Sequence, residues 1–346
     1  MAFGAGPVLA VIGSFAQAVL MGGTFFGLEF KSPENLDGFV VLFACGVPVM
    51  VIASVLSWFF KLPGVELEPS REPIGEVLGL LVGLPLMLAS IGLVQAGEFT
   101  GTPLYRFGGY LAAAVSAAGF LYHFRPILTQ RVLLLATVVT VLVYSGNTIP
   151  SNMNLFSPEV LGDEPAKFAG MQNALRFGFK VVAGAVLGWL LTRSHPRQGL
   201  VATATIFLLA QIWAIFATGT AYLVAFGLYG AGELIGVYAP NYILSASRPG
   251  DIRRNMAFVT LLMVPAAPTG YLFGAIADSV RDAGWQLGDM TSTALGFRVS
   301  FGVCALLILL GILVALVKLP RTPGLVGDAP SSDEILGGPD GEESVP

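Results

Sequence analysis

Apolar stretches of about twenty residues recur along this chain, separated by short segments that hold most of its charge. Each stretch is long enough to cross a bilayer core of roughly 30 Å. A backbone in lipid must satisfy its own hydrogen bonds, which leaves helices or a closed barrel. Barrel strands alternate apolar and polar residues over about ten positions. Here the apolar runs are continuous, as at 132–143 and 306–317. The sequence therefore predicts an all-α, polytopic membrane helical bundle.

Composition agrees. Only 12% of the residues are charged and the mean hydropathy is +0.77. A soluble domain carries about 25% charged residues. The predicted spans are 6–28, 38–60, 76–96, 105–124, 131–150, 170–193, 199–218, 221–246, 255–277 and 297–318, about ten transmembrane helices. Residues 321–346 are Gly/Pro-rich and acidic, with few large apolar groups, so a disordered tail is expected. The first run lacks a basic flank and a small-residue cleavage site, and reads as a span rather than a signal peptide.

Loop charge sets the expected orientation. One alternate set of loops holds eleven basic residues: Lys61, Arg71, Arg125, Arg131, Arg193, Arg197, Arg248, Arg253, Arg254, Lys318 and Arg321. The opposite set holds four, Lys31, Arg106, Lys167 and Arg281, among many acids. Basic residues favour the cytoplasmic side. Both termini are therefore expected in the cytoplasm, in a multi-pass protein of the cell (inner) membrane.

Catalytic chemistry finds no foothold. The chain has no His-Glu-x-x-His, no Gly-x-Ser-x-Gly and no phosphate-cradling loop. Its two cysteines, Cys45 and Cys304, fall inside apolar runs, where the plain reading is a small buried hydrophobe. Two histidines, His123 and His195, sit at helix ends. No enzyme activity, metal site or cofactor is expected. The net charge of −4 offers no footprint for nucleic acid.

A charge at mid-bilayer costs at least about 2.5–3.5 kcal/mol on insertion scales, so each one needs a reason. Glu233 lies near the middle of its span, in Gly230-Ala-Gly-Glu-Leu-Ile-Gly. Arg176 and Lys180 lie in the span at 170–193, and Gln172, Arg176 and Lys180 are spaced to share one helix face. That stripe continues into Gly184 and Gly188, a spacing that lets a second helix approach closely. The two spans run in the same direction, and Lys180 and Glu233 lie at similar depth. They are expected to face one polar cavity and to be electrostatically coupled, with Glu233 binding a cationic group or carrying a proton. The plainer alternative is a buried ion pair that only orders the bundle. Tyr229, one turn above Glu233, and Asn241, two turns below it on the same side of the span, are candidate lining residues. Asn147, Asn152, Asn154 and Gln211 are softer candidates. Pro240 is expected to interrupt the span at 221–246, and Pro265, Pro268, Gly270 and Gly274 the next one.

The stretch Gly188-Trp-Leu-Leu-Thr-Arg-Ser-His-Pro-Arg197 resembles the Gly-x-Leu-x-Asp-Arg-x-Gly-Arg-Arg loop of the major facilitator superfamily (MFS). Gly188, Leu190, Arg193 and Arg197 match, while Thr192, His195 and Pro196 depart from the pattern. Residues 238–254, from Tyr238-Ala-Pro-Asn to Asp-Ile-Arg-Arg254, are similar to the helix and basic loop before that family's penultimate helix. The resemblance implies an MFS-like C-terminal six-helix half at 128–320. Residues 1–62 resemble the last two helices of an N-terminal half, with Gly13, Gly22, Gly23 and Gly27 similar to part of a glycine motif. Residues 63–127 are then a cytoplasmic linker plus two extra helices, and the first four helices of the usual twelve have no counterpart. The resemblance implies a secondary transporter of a small solute, with Glu233 in the coupling or binding site, a proton as the candidate coupling ion, and Gly188, Arg193 and Arg197 in a cytoplasmic gating loop. Its partners would be the lipid bilayer, the solute and a second membrane subunit supplying the missing helices. The alternative is a non-transporting scaffold or assembly factor on a reduced transporter fold.

Overall fold

The computed structural model describes residues 10–15, 23–30, 74–125, 129–162, 165–247 and 269–323, together with residues 19, 51, 55, 255 and 258. Among these, six helices are long and apolar enough to cross a membrane: Val82–Thr100, Arg131–Leu161, Lys167–Leu191, Pro196–Phe216, Gly219–Ser245 and Ser292–Lys318. The chain is thus an all-α, multi-pass membrane bundle.

The count of about ten is not met. The expected span at 38–60, most of that at 6–28 and the first part of that at 255–277 lie outside the described residues, as do Cys45, Pro265, Pro268 and the tail beyond 323. Two differences are physical. The end of the expected first span is not helical: β1 (Gly23–Phe25) pairs antiparallel with β2 (Leu28–Phe30). Phe26 and Gly27, between the strands, have φ of 47° and 85°, the left-handed backbone that a two-residue hairpin turn requires. Apolar content alone cannot separate such a hairpin from a helix end. The helix at Pro103–His123 does form, but Tyr105, Arg106, Tyr110 and its glycines leave it less apolar than the six.

The chain divides into two compact units, 43–134 and 1–42 with 135–346. In the smaller one, α1 (Ile74–Thr100) and α2 (Pro103–His123) form a helical hairpin. Gly101, at φ 66°, makes the reversal. A side chain at Gly109 would collide with Val94, so these helices meet backbone to backbone. Buried Ser116 donates across them to the carbonyl of Gly83 at 2.7 Å.

The larger unit carries the site. A long span is built from α3 (Arg131–Tyr144), a 3₁₀ turn (Ser145–Thr148) and α4 (Pro150–Leu161). Pro150 sits in the first turn of α4, where a missing N–H is tolerated. Gly162, at φ 67°, ends it. After it come α5 (Pro165–Leu191), α6 (Pro196–Phe216), α7 (Val224–Gly232) and α8 (Ile235–Ser245). The last are α9 (Thr269–Asp282) and α10 (Ser292–Lys318), whose N-cap Thr291 accepts from the amide of Ala294.

The core of this unit is aromatic and apolar. Phe156 meets Tyr222 and Phe301 edge to face, and the Tyr222 hydroxyl donates to the carbonyl of Met153 at 2.8 Å. Gly146 lies against Ile308, and Gly311 against Val143, so α10 seats closely on the span built from α3 and α4.

Candidate functional site

The span Gly219–Ser245 breaks where its carboxylate sits. Leu234 bonds back to Ala231, Gly236 to Glu233 and Val237 to Leu234, each three residues earlier, at 3.3, 3.0 and 2.8 Å. This tightened turn separates α7 from α8. The expected interruption at Pro240 is displaced: Pro240 lies inside α8, and the ladder adjusts upstream of the carbonyl that its ring would strike, that of Gly236.

Close packing brings α7 against α5. A Cβ at Gly230 would overlap the backbone carbonyl of Arg176, and one at Gly227 would meet the Phe179 ring at 2.9 Å. With no side chain between them, the two backbones touch at the depth of the charges. The expected close approach at Gly184 and Gly188 is not found: a Cβ at either meets nothing within 4 Å among the described residues. Their neighbours Val182, Val186 and Trp189 are exposed along the same helix.

Across the α5–α7 contact Glu233 holds two cations. Arg176 Nε donates to Oε2 at 3.0 Å and Arg176 Nη2 to Oε1. Lys180 Nζ donates to Oε2 at 3.3 Å. The Glu233 side chain is 10% exposed, against 33% for Arg176 and 26% for Lys180. The carboxylate is the buried member, and the cations stand between it and the space beyond. Charge-assisted, two-pronged bonds of this kind are the strong class of hydrogen bond.

Arg176 also lies over the Tyr229 ring, 5.2 Å from its centroid. The Tyr229 hydroxyl donates to the Asn147 side-chain oxygen at 2.9 Å and is 3.2 Å from its backbone carbonyl oxygen. Gln172, one turn before Arg176, donates to the Ser157 hydroxyl at 3.2 Å. A cavity of about 300 Å³ opens above this layer, lined by Pro150, Asn154, Ala169, Gln172, Asn173, Arg176, Phe226 and Tyr229. Its lining residues lie on the Leu161 and Gly219 side of the triad, and Arg176 belongs to both.

The structure therefore brings Glu233, Lys180, Arg176, Tyr229 and Gln172 together. Asn241 is exposed on α8 and does not line the cavity. Gly188, Arg193 and Arg197 gather at the other end. Arg193 stacks over the Trp189 ring at 4.5 Å, and Arg197 donates to the carbonyls of Leu316 and Leu319 at 3.2 and 2.7 Å. Arg197 thus satisfies open carbonyls at the C-terminus of α10. Beside it, His195 has its imidazole pKa pushed down, by desolvation first and then by Arg197 and Arg321.

Asn173, Phe226 and Pro150 line the cavity and were not singled out from sequence. Arg298, inside the Ser292–Lys318 span, was also missed. It stands 5.8 Å over the Phe156 ring, and its Nε is buried without a partner among the described residues. A count of charges within the last span could have found it. Among the described residues no cluster of three or more His, Cys, Asp or Glu side chains is placed to hold a metal.

No protein-family model matches this chain, and no curated protein matches it significantly.

Proposed function

We propose that the chain is a secondary transporter of a small solute, built in the manner of the major facilitator superfamily, with Glu233 as the coupling group. The observation that carries this reading is a charge triad that reaches, through Arg176, the wall of a cavity. Intramembrane charges mark substrate or ion pathways when they meet a cavity, and Arg176 belongs to both the triad and the wall. The site also falls on a broken span, the form that lines binding sites in transporters. With the orientation expected from loop charge, the cavity opens to the non-cytoplasmic side of the cell membrane and both termini are cytoplasmic. Glu233 then exchanges its two cationic partners for a proton during the cycle.

The test is uptake into proteoliposomes holding the purified full chain. Glu233→Gln should abolish uptake while leaving the protein in the membrane, and unaltered uptake by that variant removes Glu233 from the mechanism.

One observation favours a non-transporting scaffold. Both oxygens of Glu233 are already taken, as in an ion pair that only orders a bundle. On that reading the wild-type chain moves no solute, with or without a second membrane subunit supplying further helices, and Glu233→Gln lowers only its stability.

A further inference from the structure

We propose that the cavity at Arg176 takes a small solute carrying a single negative charge, a monocarboxylate, an assignment that rests on the transport reading above and names its substrate class.

The charge balance comes first. Arg176 and Lys180 contribute two positive charges and Glu233 one negative, so the triad carries a surplus of +1. No acidic residue lines the cavity. Within a span such a surplus is costly, and an anion beside it restores neutrality. Protonation of Glu233 only raises the surplus to +2, so the preference for an anion holds in both states of the carboxyl group.

Access gives the same sign. Glu233 is the most buried of the three, and Arg176 is the charged group on the cavity wall. A cationic solute would meet Arg176 before the carboxylate, whose two oxygens are already engaged. An anion meets a guanidinium that uses only Nε and Nη2 on Glu233. Among the described residues Nη1 has no acceptor, and guanidinium nitrogens match the spacing of carboxylate oxygens.

Size and lining narrow the class. A volume of about 300 Å³ lies at the low end for ligand cavities, so few non-hydrogen atoms fit. Asn154, Gln172 and Asn173 supply amides, while Pro150 and Phe226 give the solute's carbon skeleton an apolar wall. With Glu233 ionised and paired as it stands here, one surplus charge matches a monoanion, and a dianion would leave a negative charge uncompensated.

The experiment measures thermal unfolding of the purified full chain in detergent. The probes are sodium acetate, sodium lactate, the uncharged analogue lactamide, and choline chloride, at constant ionic strength set with sodium chloride. Acetate or lactate should raise the unfolding temperature in a saturable way, with lactamide at least about tenfold weaker, since a charge-assisted bond is lost. Lys180→Gln, which removes the surplus charge, should weaken lactate binding about tenfold or more. The lactate and lactamide comparison needs no variant, so it stands even if Lys180→Gln does not fold. Stabilisation by choline, equal effects of lactate and lactamide, or no effect of either carboxylate would each overturn the assignment. Carboxylate binding without counterflow in proteoliposomes would instead sink the transport reading and leave the binding site.

Discussion

Arg176 grips both carboxylate oxygens of Glu233 from the neighbouring helix, while Lys180 reaches only one. The two cations are therefore unequal. Arg176→Met should destabilise the protein by about 2 kcal/mol, below the roughly 3–5 of a fully buried pair, because Arg176 is one third exposed. Lys180→Met should cost less, since Arg176 still neutralises the carboxylate. The double variant Arg176→Met/Glu233→Gln should be more stable than the sum of the single losses implies. Denaturation of the wild type, the three single variants and the double variant in one detergent checks the order, and a strictly additive double variant would show that the pair is not coupled.

Gly230 should be intolerant of any side chain. Its Cβ would overlap the Arg176 carbonyl, backbone that cannot rotate away. Gly230→Ala should cost about 2 kcal/mol or more by the overpacking mechanism. Gly188→Ala, on the open stripe of α5, should change stability by no more than the helix-propensity difference of about 1 kcal/mol, in the stabilising direction. Side-by-side thermal melts decide this.

Tyr229→Phe removes the hydroxyl that Asn147 accepts and strands a polar side chain, while the ring beneath Arg176 remains. A loss of about 1–2 kcal/mol is expected. Tyr229→Phe/Asn147→Ala should recover part of it, measured as a double-mutant cycle.

Arg197 closes the C-terminal end of α10 through two carbonyls. Arg197→Ala should free them and speed amide exchange over the last turn of that helix, with a loss of about 1 kcal/mol or less. Exchange near Thr291 at the opposite end should not change.

The imidazole of His195 gives a pH test. Its pKa lies below the ordinary value of about 6.5. Folding thus favours the neutral ring, so its contribution is fully present above the unfolded pKa. It diminishes as pH falls from about 6.5 toward the folded pKa, because the unfolded chain then binds the proton more readily. In an NMR titration His195 should titrate below 6.5, and Arg197→Gln should move it upward by removing a nearby cation.

The members of the charge triad were legible in the sequence because the reason for pairing them is local. A charge inside an apolar run is expensive wherever it stands, and two parallel spans with charges at similar depth can relieve each other. Asn241 fell outside the cavity for a reason of geometry. The cavity takes Phe226 and Tyr229 from this span, both before Glu233, whereas Asn241 lies two turns after Glu233 on an exposed position of α8. Spacing marks Gly184 and Gly188 as small but does not say where helices meet; among the described residues the close approach to α5 is made by Gly230 of α7.

Hydrophobic length determined the class of protein. Apolar stretches that span lipid must be helices, and few charges are left to cover a soluble surface. That cost is paid residue by residue along the chain, so it can be read from the chain alone. Tertiary structure decided the rest: the hairpin at 23–30 in place of a helix end, the break at Glu233, and the cavity that ends on Arg176. Each depends on which backbones approach one another. Contacts between residues fifty or more positions apart, such as Arg176 with Glu233, are a property of the packed bundle rather than of any single span.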